Sequence, residues 1–579
     1  MKFSFVSEVF QIIENESSRL AITQLLADLL KKSTATEAKI ICNISLGQLH
    51  PPYVGTQFKM AEKGVIKAIA KFLNEPNSNI SASVKNFGDV GLVLAEYTWQ
   101  RKNDLTVPEV YEKLVDIEKI SGIGSQEQKT DKLLELLKEL DAISAKYVVR
   151  IILGKLRLGF SDMTIVDALS WMVAGDKSLR RIIEHAYNIC ADIGLIAHDL
   201  KEYGIDAIER MKIHIGIPII PAAAERLPTA HAIMDKIGPL VMAQSKIDGF
   251  RLQIHIDNTE SEKKIHFFSR NMQDMTGMFP DLVEAFKKFD VKQIICEGEA
   301  VAFNQHTGTF LPFQETVKRK RKYGITEAAQ EFPLQLFIFD VLYLNGQSLL
   351  DVGHEKRRDA VLRVFGQSEN PIIRVIEEKV ITSSKELLDF FNHNIAAGLE
   401  GIVVKRPDAI YQPGKRNFNW IKLKRQEEGH LDDTLDCVIL GYYTGHGKRA
   451  KFGIGAFLVG VYNKKNDCFE TIAKIGTGLK DNDWVELKQK CESLVVNHKP
   501  NNVVCSKDLY PDFWVQPEIV VLVRADEITR SPAHTAAKTG DTEGYALRFP
   551  RFMGYRPDKS AFEATTASEI VHMFKDQYA

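Results

Sequence analysis

Two prolines decide how this chain is partitioned. Before residue 215 apolar residues recur at three- and four-residue spacing, as in Leu20-Ala21-Ile22-Thr23-Gln24-Leu25-Leu26-Ala27-Asp28-Leu29-Leu30, the period of helices with one buried face. In Ile217-Pro218-Ile219-Ile220-Pro221-Ala222 neither proline can continue a helix, and beyond them short β-like runs take over. With 579 residues, and domains usually of ~100–200, the chain has material for several cores. The sequence predicts a multidomain protein with an all-α domain over 1–215.

From 216 to about 425 the β-like runs alternate with helical stretches such as 281–289, an α+β pattern. From 426 to 579 the runs Cys437-Val438-Ile439-Leu440, Ala456-Phe457-Leu458-Val459-Gly460-Val461, Thr471-Ile472-Ala473-Lys474 and Ile519-Val520-Val521-Leu522-Val523 are separated by Gly- and Asn-containing turns. Roughly five short strands in a small module predict an all-β Greek-key barrel of the OB type, closed by a helix over 568–575. A formal net charge of −1 gives no global polyanion signature, so such a partner must meet local basic patches. Seven scattered cysteines without a Cys-x-x-Cys pair argue against a zinc ribbon or a disulfide framework and fit a reducing compartment. Glu8 interrupts the N-terminal stretch where a signal peptide needs apolar residues, and no run approaches 18 apolar residues, so we expect an intracellular, soluble protein without a membrane segment.

Chemistry concentrates around Lys246. The apolar run Pro239-Leu240-Val241-Met242-Ala243 leads to this lysine at a strand end, an Asp248-Gly249 turn follows, and Arg251 opens the next strand. A lysine attacks only as the neutral amine, so near-burial and neighbouring cations are expected to arm it; a plain turn lysine is the alternative. Carboxylates in apolar strands, Glu297 and Glu299 in Ile294–Ala302 and Glu400 before Gly401-Ile402-Val403-Val404-Lys405, are costly unless paired or metal-bound, and Glu299 and Glu400 are candidate ligands of a hard divalent ion. Lys422 and Lys424 alternate in Trp420-Ile421-Lys422-Leu423-Lys424 and share one face, where they could grip a phosphate. The aromatics of Leu336-Phe337-Ile338-Phe339-Asp340 suit a core or a base-stacking platform. In the helical part, Ser121-Gly122-Ile123-Gly124-Ser125 opens a helix over 126–140, a backbone N–H site for phosphate with Lys129, Lys155 and Arg157 as added charge, or simply a helix cap. The run Lys318-Arg319-Lys320-Arg321-Lys322 reads as a solvated loop or as a dense phosphate contact.

In order, Lys246-x-Asp-Gly-x-Arg251, Phe268-Ser269-Arg270, Glu297-Gly-Glu299, the Phe339-Asp340 strand, Glu400-Gly-Ile-Val-Val-Lys405, Trp420-x-Lys422-x-Lys424 and Arg556-x-Asp558-Lys559 resemble the motif series of the covalent nucleotidyltransferases. Gly154-Lys-Leu-Arg-Leu-Gly159, Leu311-Pro-Phe-Gln314 and Asp526-Glu-Ile-Thr-Arg-Ser-Pro532 extend the resemblance over nearly the whole chain, to the replicative ATP-dependent DNA ligases of archaea and eukaryotes. The resemblance implies a helical DNA-binding domain (1–215), an adenylation domain (216–425) and an OB domain (426–579). It implies Lys246 as the AMP-lysine nucleophile, with ATP as co-substrate and Mg2+ on Glu299 and Glu400. Gln244 and Phe339 would hold adenine, while Arg251, Lys422 and Lys424 offset phosphate charge and Arg270 meets a 5′-phosphate. Arg556, Asp558 and Lys559 would serve the leaving pyrophosphate after a hinge motion near 425–429. Nicked double-stranded DNA would be bound through Gly122, Gly124, Ser125, Lys155 and Arg157. The partner expectations are this DNA, a sliding clamp as an open question, no membrane, and a monomer. The family usually has glutamate at position 244, so Gln244 leaves the strictness for ATP open. An mRNA capping enzyme or RNA ligase shares the lysine motif but not the helical domain. An NAD-dependent ligase would bring a four-cysteine zinc module, and a non-catalytic DNA-binding module would not need these lysines and carboxylates.

Overall fold

The structure, a computed structural model, describes all residues except 100–102, 305–308, 312–314, 317, 320, 322–323, 369, 425–433, 541 and 578–579. Two compact units emerge, Met1–Gly64 with Trp99–Arg425, and Val65–Thr98 with Gln426–Ala579. No helix among the described residues is long and apolar enough to cross a membrane, and all seven cysteines are free thiols.

The N-terminal region is helical from Phe3–Asn15 to Ile205–Glu209. Local chemistry sets where its helices begin. Thr34 and Glu37 exchange side-chain and backbone hydrogen bonds in a capping box before Ala35–Ser45, and Thr106 with Glu109 does the same before Val107–Lys119, which carries Pro108 in its first turn. The helix Ser125–Glu139 instead starts from Gly124 at φ +77°, a left-handed backbone that glycine adopts at little cost.

In the first unit the strands are β1 (Ala223–Arg226), β2 (Val241–Lys246), β3 (Phe250–Asp257), β4 (Lys264–Ser269), β5 (Gln293–Ala302), β6 (Leu334–Leu344), β7 (Gln347–Ser348), β8 (Ile373–Val375), β9 (Glu378–Ile381), β10 (Gly401–Lys405) and β11 (Arg416–Lys424). One sheet has the order β1-β11-β10-β2-β9; the other has β4-β3-β5-β6-β7, with β8 beside β6. Val241, Ala243, Ile402, Val404, Ile421 and Leu423 of the first sheet are buried with Ile233, Leu387 and Phe390 of the helices Ala230–Ile237 and Ser384–Ala396. Because strand side chains alternate, the residues between them face the other way, and that face carries Gln244, Lys246, Lys405, Lys422 and Lys424 together with Met242, Val403 and Trp420. The second sheet buries Leu252, Ile254, Ile294, Cys296, Leu336 and Ile338 with Leu282 and Phe286 of Pro280–Lys287 and with Val361 and Phe365 of His354–Phe365.

Strand β3 alternates in sequence, yet its polar face is also covered. Ile219 N–H donates to Gln253 Oε1 at 2.8 Å, Gln253 Nε2 donates to the Ile219 carbonyl at 3.0 Å, and Gly216 N–H donates to His255 Nδ1 at 3.0 Å. Burial pushes the His255 imidazole down to about 3, leaving it neutral and able to accept. The proline-bearing segment is thus fastened across the back of the strand. It is also tied to the preceding helix by Ala191 N–H to Pro218 O (3.1 Å) and Ile220 N–H to Asn188 O (2.8 Å), and to later chain by Gly414 N–H to Ile220 O (3.2 Å).

The second unit is rich in β structure. Its large sheet runs Val495–Val496, Phe513–Val515, Leu435–Tyr443, Ala456–Asn463, Cys468–Ile475, Val503–Val504, with Val520–Arg524 pairing both Leu435–Tyr443 and Arg551–Tyr555. Glu527–Ser531 and Gly544–Arg548 form a separate ribbon, and the predicted closing helix spans Ala567–Asp576. Leu435, Ile439, Val459, Ile472, Val521 and Ile570 share its main core.

Candidate active site

Lys246 is the last residue of β2, and Ile247-Asp248-Gly249 carries the chain from one sheet of the first unit into the other. Only glycine fits the turn: a Cβ on Gly249 would lie 2.3 Å from the Ala300 carbonyl oxygen. Strand register then builds the polar face in rows. Lys424 and Lys246 flank Gly401; Lys422, Val403, Gln244 and Glu378 lie in line; Trp420, Lys405 and Met242 form the next row. The lysines at 422 and 424 do share one face, and register brings them to Lys246 across β10.

Lys246 was expected to be ringed by cations. Its nearest charged neighbour is instead a carboxylate, for Glu400 takes Lys246 Nζ with one oxygen and Lys424 Nζ with the other. Glu400 N–H also donates to the Lys246 carbonyl at 3.0 Å. Burial pushes the Glu400 carboxyl up, but Lys246 and Lys424 outweigh it and hold it below its usual range. Burial, with Lys424, Lys246 and Arg416 nearby, pushes Lys422 down. The Lys246 ammonium is thus held in an ion pair with Glu400.

Arg251 is held by groups of the fold itself. Its guanidinium donates to both oxygens of the fully buried Glu297 (2.9 and 2.8 Å) and to the Ala222 carbonyl (2.7 Å), and lies 5.5 Å from the Phe339 ring centre and 5.6 Å from that of Trp420. Arg251 and Glu297 thus neutralise each other beneath an aromatic pair, a structural use of the first carboxylate in the Glu297-Gly298-Glu299 motif. Phe339, half-buried, meets Trp420 edge-on at 6.3 Å, and Lys405 Nζ sits 5.3 Å from its ring centre. Beneath it the fully buried Asp340 accepts from Arg357 Nε (2.8 Å) and Nη2 (3.2 Å), with Lys405 at 3.6 Å.

The Glu299 side chain has no hydrogen bond or ion pair with any described residue, and burial pushes its carboxyl up to about 7, with Lys246 and Arg251 opposing the rise and Asp248 and Glu400 adding to it. A carboxylate without a protein partner, near a second carboxylate, fits a magnesium ion, which usually takes one or two carboxylates plus substrate phosphates. A carboxyl raised in the folded state destabilises the fold as pH climbs above its unfolded value near 4.3, fully so above 7. Glu299→Gln is therefore expected to be more stable than the parent protein at pH 8 by about 1–2 kcal/mol and equal to it at pH 4. Thermal unfolding at both pH values checks this; no gain at pH 8 would contradict the assignment.

The other candidates belong to other elements. Arg270 is exposed after β4 and has no hydrogen bond or ion pair with the described residues. In the second unit, Arg556 (2.9 Å) and Lys559 (2.6 Å) share Asp436, and Arg556 also pairs with Asp558 (2.8 Å). In the helical region Gly122, Ile123 and Gly124 are exposed ahead of Ser125. Leu156 and Leu158 are buried while Lys155 is exposed and Arg157 half-buried, so the alternation turns both cations away from the core. Lys129 does not join them: it is buried and donates to the Phe58 carbonyl, and burial pushes its ammonium down. Within the basic run Arg319 is also withdrawn, 1% exposed and bonded to Asp281 at 2.6 and 3.1 Å. Lys320 and Lys322, most of Leu311-Pro-Phe-Gln314 and the hinge expected near 425–429 lie outside the described residues.

Sequence reasoning missed Glu378, His354, Arg357 and Arg358. They lie in ordinary charged runs, His354-Glu355-Lys356-Arg357-Arg358 and Glu377-Glu378-Lys379, that read as solvated faces, and only the pairing of β2 with β9 and the packing of the helix His354–Phe365 bring them together.

Comparison with known proteins identifies the family. Residues 221–424 match the family model "ATP dependent DNA ligase domain", residues 2–170 "DNA ligase N terminus" and residues 450–559 "ATP dependent DNA ligase C terminal region". A probable DNA ligase of Dictyoglomus turgidum is 45% identical over 579 residues, covering 100% of this chain and 98% of the relative. DNA ligase 2 of Thermofilum pendens is 38% identical, with 100% and 98% covered. The solved structure "Pmar-Lig_PreS3" shares the fold at a TM-score of 0.56 and 16% identity, over 95% of this chain and 99% of that one. With a full-length relative at this identity, and with a lysine, its carboxylate and its flanking cations assembled at one sheet seam, the chain belongs to the ATP-dependent DNA ligases, enzymes that seal nicks in DNA.

Proposed function

We propose that Lys246 is the residue that carries AMP, the observation behind this being its place at the seam with Glu400, Lys424 and Lys422 around it. Once its ion pair opens and the ammonium gives a proton to water, the neutral amine attacks the α-phosphorus of ATP. A nitrogen–phosphorus bond forms, the bond to the pyrophosphate oxygen breaks, and the amine loses a proton. Lys422 and Lys424 offset charge on the transferring phosphoryl group, and Phe339 and Gln244 hold adenine. Glu299 and Glu400 would hold magnesium, which when bound adds positive charge against the triphosphate oxygens. AMP then moves to the 5′-phosphate of a nick, for which exposed Arg270 is the contact, and the 3′-hydroxyl displaces it.

The same reading assigns DNA phosphates to Gly122, Gly124, Ser125, Lys155 and Arg157, where contacts fix position without reading sequence. It divides the chain by function at about 215 and 425, takes the C-terminal part as an OB domain whose Arg556, Asp558 and Lys559 serve pyrophosphate, and takes the protein as a monomer acting inside the cell. A pulse and chase tests the sequence of steps. Label from α-labelled ATP is expected to stay on the denatured protein, then pass to nicked duplex and appear as AMP when the nick closes. Label that never leaves the protein on addition of nicked DNA would sink the reading.

A further inference from the structure

Gln244 is a primary amide, and an amide can meet the 6-position of a purine with its oxygen or, turned over, with its NH2 group. The two orientations read opposite bases. Adenine offers a 6-amino donor, whereas guanine and hypoxanthine offer a 6-oxo acceptor. A glutamate at this position accepts with either oxygen and needs no orienting; a glutamine does.

The surroundings of Gln244 decide its orientation. It stands directly across from Glu378 in the β2–β9 pair, and its Nε2 donates to Glu378 Oε2 at 2.7 Å and to the Phe339 carbonyl at 3.2 Å. Turned over, the amide would set its oxygen against two acceptors, a carboxylate and a carbonyl. As placed, Oε1 accepts from no described residue, in a residue only 2% exposed. Glu378 is itself fixed: His354 Nε2 donates to it at 2.8 Å and Arg358 Nε lies 3.3 Å from its other oxygen. Burial pushes its carboxyl up, but the His354 hydrogen bond and the Arg358 charge outweigh that and keep it an acceptor.

We propose that Glu378, held by His354 and Arg358, is a positioning residue that fixes the Gln244 amide with its oxygen outward and so selects 6-aminopurine triphosphates over 6-oxopurine ones. This rests on the reading that Gln244 faces the nucleobase of the nucleotide transferred to Lys246.

The substitution Glu378→Gln makes the sharpest test: Arg358, a cation that can only donate, holds the oxygen of the new amide at the Oε1 position, so its NH2 group takes the Oε2 position that His354 and Gln244 now share, and neutral His354 can accept from it in its other tautomer. That NH2 group then faces Gln244, which must turn over. Covalent labelling by ATP and by inosine triphosphate, which differs from ATP at the 6-position and lacks a 2-amino group, is measured on each protein. The ratio of the two rates does not depend on the folded fraction. In Glu378→Gln the ATP-to-inosine preference is expected to fall at least about tenfold, the worth of one hydrogen bond exchanged for a clash of like groups. The double variant Glu378→Gln with Gln244→Glu keeps one carboxylate and one amide and is expected to regain the parent ratio. An unchanged ratio in the single variant, with both rates lowered alike, would make Glu378 merely structural and overturn the proposal. A double variant still indifferent to the base would do the same. Absence of any covalent label on the unmodified protein would strike the Lys246 reading instead.

Discussion

Lys246→Ala is expected to leave no covalent enzyme–AMP, a loss of at least about 10⁴-fold such as follows removal of a nucleophile. No other primary amine takes its place in the sheet row: Lys424 lies on the far side of Gly401 and is paired with Glu400, and Lys422 stands in the next polar row. The fold should survive, because Lys246 ends its strand with part of its side chain exposed and adds nothing to the apolar cluster beneath the sheet. Glu400 keeps Lys424 as a partner, so the substitution does not leave a buried charge alone. A supplied DNA-adenylate no longer needs the amine, so this variant is expected to go on sealing pre-adenylated nicks. The measurement is retention of label after denaturation, with sealing of both kinds of nick. Ordinary labelling of the variant would remove Lys246 from the chemistry.

Arg357→Met is expected to destabilise the first unit by about 3–5 kcal/mol, the usual consequence of removing one member of a fully buried ion pair. Both Arg357 and Asp340 are wholly inaccessible, and Arg357 also donates to the Ala409 carbonyl at 2.9 Å. Lys405 would remain near Asp340, but it also lies over the Trp420 ring at 4.3 Å and makes no short contact with the carboxylate. Burial alone would push the Asp340 carboxyl up; Arg357 and Lys405 outweigh it and hold it well below the ordinary aspartate range. A depressed carboxyl stabilises the fold above its unfolded pKa near 3.9, and that contribution fades as pH falls toward the folded value. The gap between parent and variant is therefore expected to be full at pH 7 and to narrow below about pH 4. Denaturant unfolding at several pH values checks both size and slope; a loss under about 1 kcal/mol at neutral pH would contradict the picture of an uncompensated Asp340.

What the sequence discloses here follows from how local each signal is. The helical region, the strand lysine beside Asp248-Gly249 and the shared face of Lys422 and Lys424 depend on residues within a few positions of one another, and periodicity carries that information. Partner identity does not travel that way. Arg251 and Glu297 are both visible as charges in apolar strands, but that they pair with each other depends on which strands are neighbours. Arg319 reads as one cation in a solvated run until a helix residue 38 positions earlier, Asp281, is folded against it. Lys129 sits at a helix start suited to phosphate, yet helical phase turns it inward to the Phe58 carbonyl. Glu378 carries no sequence signal at all, because its meaning comes from standing across a strand pair from position 244.

The segment 216–222 has a mechanical consequence. A connection between domains usually behaves as a tether, along which two bodies turn freely and forces are lost. Here successive amides and carbonyls of the segment are engaged on three sides, by β3, by the end of Arg180–Ile189 and by the chain near Gly414. Such a segment behaves as a key in a slot: torque applied to the helix Arg180–Ile189 is delivered to β3 without slack. β3 begins four residues after Lys246, so if the helices grip a duplex as proposed, bending that duplex would load the turn that carries Lys246.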